Sequence, residues 1–129
     1  MPSLGMITIL VDDYDRAIAY FTDSLGFSLL EDSPLSPEKR WVVVAPSIDQ
    51  GARLLLAKAV NPDQSSAIGN QTGGRVGFFL YTDDFDKDYL IMQEKGVEFV
   101  ELPRQESFGK VVVFKDIYGN KWDFIERRS

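Results

Sequence analysis

Residues 11–31, VDDYDRAIAYFTDSLGFSLLE, and residues 82–101, TDDFDKDYLIMQEKGVEFVE, are two versions of one segment. Asp12, Asp13, Tyr14, Asp15 and Arg16 recur as Asp83, Asp84, Phe85, Asp86 and Lys87, and the second copy drops one residue before the shared glycine, Gly26 against Gly96. Further on, GARLLLA (51–57) lies more faintly over GNKWDFI (119–125). A chain that repeats itself over about half its length is two copies of one supersecondary unit, and its function is expected where the copies meet.

Each copy opens on a short apolar run, Met6–Leu10 in the first, which suits a buried strand. A helix is expected next. Asp12 or Asp13 caps it, Asp15 favours the positive end of its dipole, and Tyr14, Ile18, Phe21 and Leu25 follow at helical spacing before Gly26. The second copy repeats this with Phe85, Tyr89 and Met92 before Gly96. The aspartate clusters are therefore read as caps rather than as a cation site. Strands are expected at Phe27–Leu30, Trp41–Ala45 and Leu54–Ala57, then at Val97–Val100, Lys110–Phe114 and Lys121–Glu126, so that each half reads strand, helix, three strands. Ser33–Arg40 reads as a loop, and Asp116–Asn120 as a turn. The polar stretch Asn61–Arg75 reads as a flexible connector, its Thr72-Gly73-Gly74 lacking the Gly-Lys-Ser/Thr of a phosphate loop.

Composition narrows the chemistry. The chain of 129 residues has room for one domain, with module one at about 1–60, a linker at about 61–75 and module two at about 76–129. Its hydrophobic fraction of 44% and charged fraction of 26% are those of a soluble protein, and no stretch approaches the roughly 18 apolar residues of a membrane span. The start, MPSLGMITILVDD, has no basic leader and runs into a strand, so no signal peptide is expected and the cytoplasm is the expected location. A net charge of −6 without a basic stripe argues against nucleic acid. There is no cysteine, hence no disulfide, thiolate metal site or cysteine nucleophile. There is no histidine either, which removes triads, zinc-type sites and facial triads and leaves any chemistry to carboxylates, Lys, Tyr, Ser, Thr or backbone.

Three pieces together resemble the vicinal oxygen chelate superfamily of glyoxalases, bleomycin resistance proteins, fosfomycin resistance proteins and extradiol dioxygenases. They are VDDYDRAIAYFTDSLGF, its repeat YTDDFDKDYLIMQEKGVEF, and FKDIYGNKWDFIE. The resemblance covers nearly the whole chain. It implies an α+β fold of two tandem βαβββ modules forming a curled, cup-shaped mixed sheet with helices outside. It also implies a ligand in the cup and a homodimer. In such proteins a divalent metal is held from the first and fourth strands of each module. Carried over, those positions fall on Met6, Leu55, Gly77 (or Val76) and Asp123, of which Asp123 alone is a metal donor. No metal and no cofactor is therefore expected.

Period-2 alternation on the last strand puts Trp122 and Phe124 on one face and Asp123, with Lys121 and Ile125, on the other. The same logic turns Arg53 and Leu55 inward, with Met6 and Thr8 or their neighbours, and Phe79 and Tyr81 if Gly77 does the same. The expected ligand-binding set is Met6, Thr8, Trp41, Arg53, Leu55, Phe79, Tyr81 and Asp123, an apolar and aromatic lining with few polar groups. Trp41 and Phe79 read first as sheet packing and only second as stacking platforms, Tyr81 equally as a structural tyrosine or a hydrogen-bonding group, and Asp123 first as a partner of Lys121, Arg53 or another chain. The expected function is metal-independent binding of a small organic molecule, amphiphilic or cationic. The alternative is a lyase, isomerase or dioxygenase-type enzyme with Asp123 as base and Tyr81 as acid.

Overall fold

The computed structural model describes residues 1–127 and resolves into two compact units, Met1–Ile68 and the chain from Gly69 onward. Each is a mixed sheet with a helix after its first strand.

In the first unit the elements are β1 (Met6–Val11), α1 (Tyr14–Ala19), β2 (Ser28–Pro34), β3 (Arg40–Ala45), β4 (Arg53–Lys58) and α2 (Pro62–Ala67). The sheet order is β1-β4-β3-β2, with β1 parallel to β4 and the other pairs antiparallel. Ile9, Leu56 and Val42 stand side by side across three strands and are fully buried, as are Val44 and Val11. α1 packs over β3 and β4, burying Ala17, with Phe21 buried in the turn that follows. Asp13 caps α1 through the Arg16 N–H, which is the capping role expected of the aspartate pair.

The second unit holds β5 (Val76–Thr82), α3 (Phe85–Glu94), β6 (Glu98–Phe99), β7 (Arg104–Glu106), β8 (Gly109–Lys115) and β9 (Lys121–Glu126). Its order is β5-β9-β8-β6, with β7 also paired to β8 and β5 parallel to β9. Asp84 caps α3 as Asp13 caps α1. The core beneath α3 is a chain of rings: Phe85 on Phe124 at 5.1 Å, Tyr89 on Phe99 at 4.6 Å, Phe99 on Phe114 at 6.0 Å, and Trp122 stacked between Phe114 (5.6 Å) and Phe78 (4.6 Å).

The residue by which the two copies differ has a structural form. In the second copy the helix closes normally, Lys95 N donating to Ile91 O and Val97 N to Met92 O. In the first, Leu25 N donates to Tyr20 O and Phe27 N to Phe21 O, each span one residue longer. The extra residue is absorbed by a π-helical turn, Tyr20–Ser24, so that the glycine and the next strand regain their places.

Four expectations are corrected. The connector Asn61–Arg75 contains a helix, α2, because Asn61 accepts from the Gln64 N–H, Pro62 occupies the first turn, and the Gln64 side chain accepts from Val60 N. The second half has four strands after its helix, not three, since a two-residue turn at Ser107-Phe108 folds β7 back on β8. The loop after β2 is shorter than Ser33–Arg40, β2 running to Pro34 and β3 beginning at Arg40, whose N–H donates to the Tyr14 hydroxyl and whose guanidinium grips Asp32. The strand expected over Val97–Val100 is confined to Glu98–Phe99, and beyond Val100 the pairing is interrupted.

Candidate functional site

That interruption is built by a side chain. Val100 N donates to Val113 O, but opposite the Val113 N–H the acceptor is the Glu101 carboxylate, at 3.1 Å, in place of a backbone carbonyl. The same oxygen accepts from Arg104 Nε at 2.9 Å, and Arg104 Nη1 donates to Glu106 at 2.7 Å. The carboxylates hold the Arg104 guanidinium protonated beyond its ordinary range, the Glu101 hydrogen bond contributing most. Glu101 thereby joins the sheet from outside the regular ladder, and ties Arg104, the first residue of β7, to it.

On β9, Asp123 stands between Phe79 of β5 and Val113 of β8, and the next row is Tyr81, Ile125, Val111 and Arg104. This face lies opposite the one bearing Trp122 and Phe124, which α3 covers. Asp123 is partly buried, and its side chain makes no hydrogen bond or ion pair among the described residues. Burial pushes its pKa above the ordinary 3.8; the Arg104 charge opposes this and the Glu101 charge adds to it. Phe79 and Tyr81 are 55% and 52% exposed, large rings left open beside a desolvated carboxylate. The Arg127 guanidinium lies 4.4 Å from the Tyr81 ring centre.

Gly77 does not belong to this face. The register runs Val76 to Lys121 and Phe78 to Trp122, so Gly77 is the extra residue of a bulge, and a side chain there would strike Thr72. The bulge resets the alternation, placing Val76 beside Lys121 while Phe79 and Tyr81 keep to the Asp123 side.

In the first unit, Met6 pairs with Arg53, and Thr8 with Leu55, which pairs with Val43. Trp41, two residues from Val43, shares that side. Met6, Thr8, Trp41, Arg53 and Leu55 therefore occupy one sheet face, opposite the buried Ile9–Leu56–Val42 row. Sequence reasoning did not find Glu101, Arg104 or Arg127, whose places depend on the interrupted pairing after Val100, on the register of β7 with β8 and on the end of β9.

A separate cleft of about 280 Å³ opens between α3 and β7, among Phe85, Tyr89, Pro103, Gln105 and Lys110. Its lysine is paired with Asp86 at 2.8 Å and lies over the Phe85 ring, so its charges answer each other.

The Glyoxalase/Bleomycin resistance protein/Dioxygenase superfamily model matches residues 3–124. The chain belongs to that superfamily. An uncharacterized protein of Shewanella frigidimarina (strain NCIMB 400) is 48% identical over 96% of this chain and 93% of its own length. Among solved structures, the antibiotic binding protein TnmS3 from Streptomyces sp. CB03234 is 27% identical, with a TM-score of 0.79 over 99% of this chain and 98% of that one. A superfamily member from Sphaerobacter thermophilus DSM 20745 is 26% identical, with a TM-score of 0.74 over 98% of each chain.

The metal that the superfamily implies finds a poor donor set here. Met6 and Leu55 offer no oxygen or imidazole, Gly77 and Val76 no side-chain ligand, and only Asp123 remains. Among the described residues no three acidic side chains converge. Glu101, the nearest addition, is already committed to Val113 and Arg104. One carboxylate does not provide the several ligands that a divalent site needs.

Proposed function

We propose that this superfamily member is a metal-independent small-molecule-binding protein whose ligand lies on the Asp123 face of the second unit's sheet. The observation that carries the reading is Asp123, a partly buried carboxylate that makes no hydrogen bond or ion pair among the described residues, beside two exposed rings. Leaving such a group unanswered is costly, and a bound ligand with a hydrogen-bond donor or cation answers it. Apolar and aromatic walls with a few polar groups are the usual make-up of a ligand site. TnmS3, an antibiotic binding protein, supports the same class of function. The proposal extends to a cytoplasmic homodimer and, within the first unit taken by itself, to Met6, Thr8, Trp41, Arg53 and Leu55 as ligand-facing residues of one sheet face.

The test is native mass spectrometry of the protein as isolated, followed by a thermal-shift screen of amphiphilic and cationic compounds. The expected result is a metal-free dimer and a set of compounds that raise Tm. A stoichiometric metal that survives dialysis, or a screen in which no compound shifts Tm, overturns the reading.

A further inference from the structure

At the end of the second sheet nearest the Asp116–Asn120 turn, two lysines occupy one cross-strand pair. Lys115 on β8 and Lys121 on β9 stand directly opposite each other in antiparallel register, and both are partly buried. Like charges in that relation oppose folding. Neither ammonium makes a hydrogen bond or ion pair among the described residues. Glu98, across from Lys115 on β6, is exposed and forms no ion pair with it. Two residues further along β9, on the same face and about 6.6 Å away at ordinary strand rise, is Asp123, which makes no hydrogen bond or ion pair among the described residues.

The face thus presents a pair of cations, then an anion that makes no hydrogen bond, with the half-exposed rings of Phe79 and Tyr81 beside it. The remaining charges are already answered, Arg104 by Glu101 and Glu106 and Arg127 by the Tyr81 ring. An anionic ligand would satisfy the lysines but meet Asp123; a purely cationic one would satisfy Asp123 and leave the lysines facing each other. We infer that this face takes a zwitterionic small molecule, its anionic group between Lys115 and Lys121, its cationic group on Asp123, and its apolar body against Phe79 and Tyr81. The inference rests on the small-molecule reading above and gives that ligand a chemical class.

The test is calorimetry on the full chain with γ-amino-β-phenylbutanoate, its methyl ester, which lacks the anion, and its N-acetyl derivative, which lacks the cation. The zwitterion is expected to bind tightest, each derivative at least about tenfold more weakly, as loss of a charge-assisted contact implies. Replacing both lysines by Gln brings the zwitterion down to the affinity of the ester without weakening the ester. In the free protein, Lys121→Gln alone raises Tm by removing the repulsion. Where the double variant does not fold, judged by circular dichroism, titration of the wild type by NMR decides, with amide shifts expected at Lys115, Lys121 and Asp123. Equal binding of ester and zwitterion, or shifts confined to other residues, overturns the inference and leaves the small-molecule reading standing. Failure of all three probes, while other compounds raise Tm regardless of the lysines, does the same. If no compound of any class binds, both fall.

Discussion

Arg40 and Lys110 hold equivalent places in the two copies. Arg40 is the first residue of β3 and Lys110 the second of β8; each lies over the ring that opens the helix (Tyr14 at 5.2 Å, Phe85 at 5.4 Å) and pairs with the acid after that ring (Asp15 at 2.9 Å, Asp86 at 2.8 Å). The repeat has preserved a strand-to-helix clamp.

The two clamps differ in strength, and this is measurable. Arg40 is also gripped at two points by Asp32, Nε at 3.1 Å and Nη2 at 2.7 Å, a forked contact that a lysine cannot reproduce. Arg40→Ala is expected to cost about 1–2 kcal/mol and Lys110→Ala about 0.5 kcal/mol in urea unfolding. Asp32 gives the first clamp a pH signature, since the Arg40 hydrogen bond holds its carboxyl below the ordinary 3.8. A carboxyl depressed in the folded state stabilises above its unfolded pKa, and that stability is lost as pH falls through the folded value. The wild type's advantage over Arg40→Ala should therefore shrink below about pH 4.

Asp116 organises the turn between β8 and β9. It is 4% exposed and accepts from Tyr118 N, Asn120 N, the Asn120 amide and Trp122 Nε1, all between 2.9 and 3.1 Å. Asp116→Ala leaves the buried indole and amide donors unanswered, an expected loss of about 2–4 kcal/mol. Asp116→Asn should rescue little, because its NH2 group meets donors. Denaturant unfolding followed by tryptophan fluorescence checks both.

Gly69 and Gly51 separate backbone conformation from crowding. Both have positive φ, +77° and +85°, but a side chain at Gly69 would run into the Tyr118 carbonyl while Gly51 faces open space. Gly51→Ala is expected to cost about 1 kcal/mol, and Gly69→Ala at least about 2 kcal/mol more, read as a difference in urea midpoints.

How much of this was legible follows from which interactions are local. The repeated Asp-Asp-aromatic-Asp-basic string carried caps and helix faces together, so the module plan could be read directly. The Asn61-Pro62-Asp63-Gln64 start signal of α2 was also present, but the polar composition around it read as connector. Alternation on β9 separated Asp123 from Trp122 and Phe124 because side-chain period is a property of a single strand. The Lys115–Lys121 contact requires the register between two strands. Glu101 and Arg104 were illegible for a different reason: Arg104 sits on β7, a short extra strand placed by its register with β8, and Glu101 joins through a carboxylate that takes the place of a strand carbonyl, which no local pattern announces.

The role proposed for Asp123 would join binding to stability, and the two should respond oppositely to its removal. Because burial raises its pKa in the folded state, the folded protein binds this proton more readily than the unfolded chain does. Stability therefore falls as pH rises through the window above 3.8 and is regained as pH falls, the reverse of Asp32. Asp123→Asn removes the buried charge and breaks no hydrogen bond, so the variant is expected to have the higher Tm at neutral pH, with the difference closing in acid. For a ligand whose cation meets Asp123, the same substitution should weaken binding at least about tenfold, or 1.4 kcal/mol, while neutral compounds change little. Thermal unfolding from about pH 3 to 8, paired with calorimetry at neutral pH, reads both effects. A variant less stable than the wild type at neutral pH would mean that the carboxylate serves the fold, and equal affinity for the best cationic ligand would place recognition on other residues.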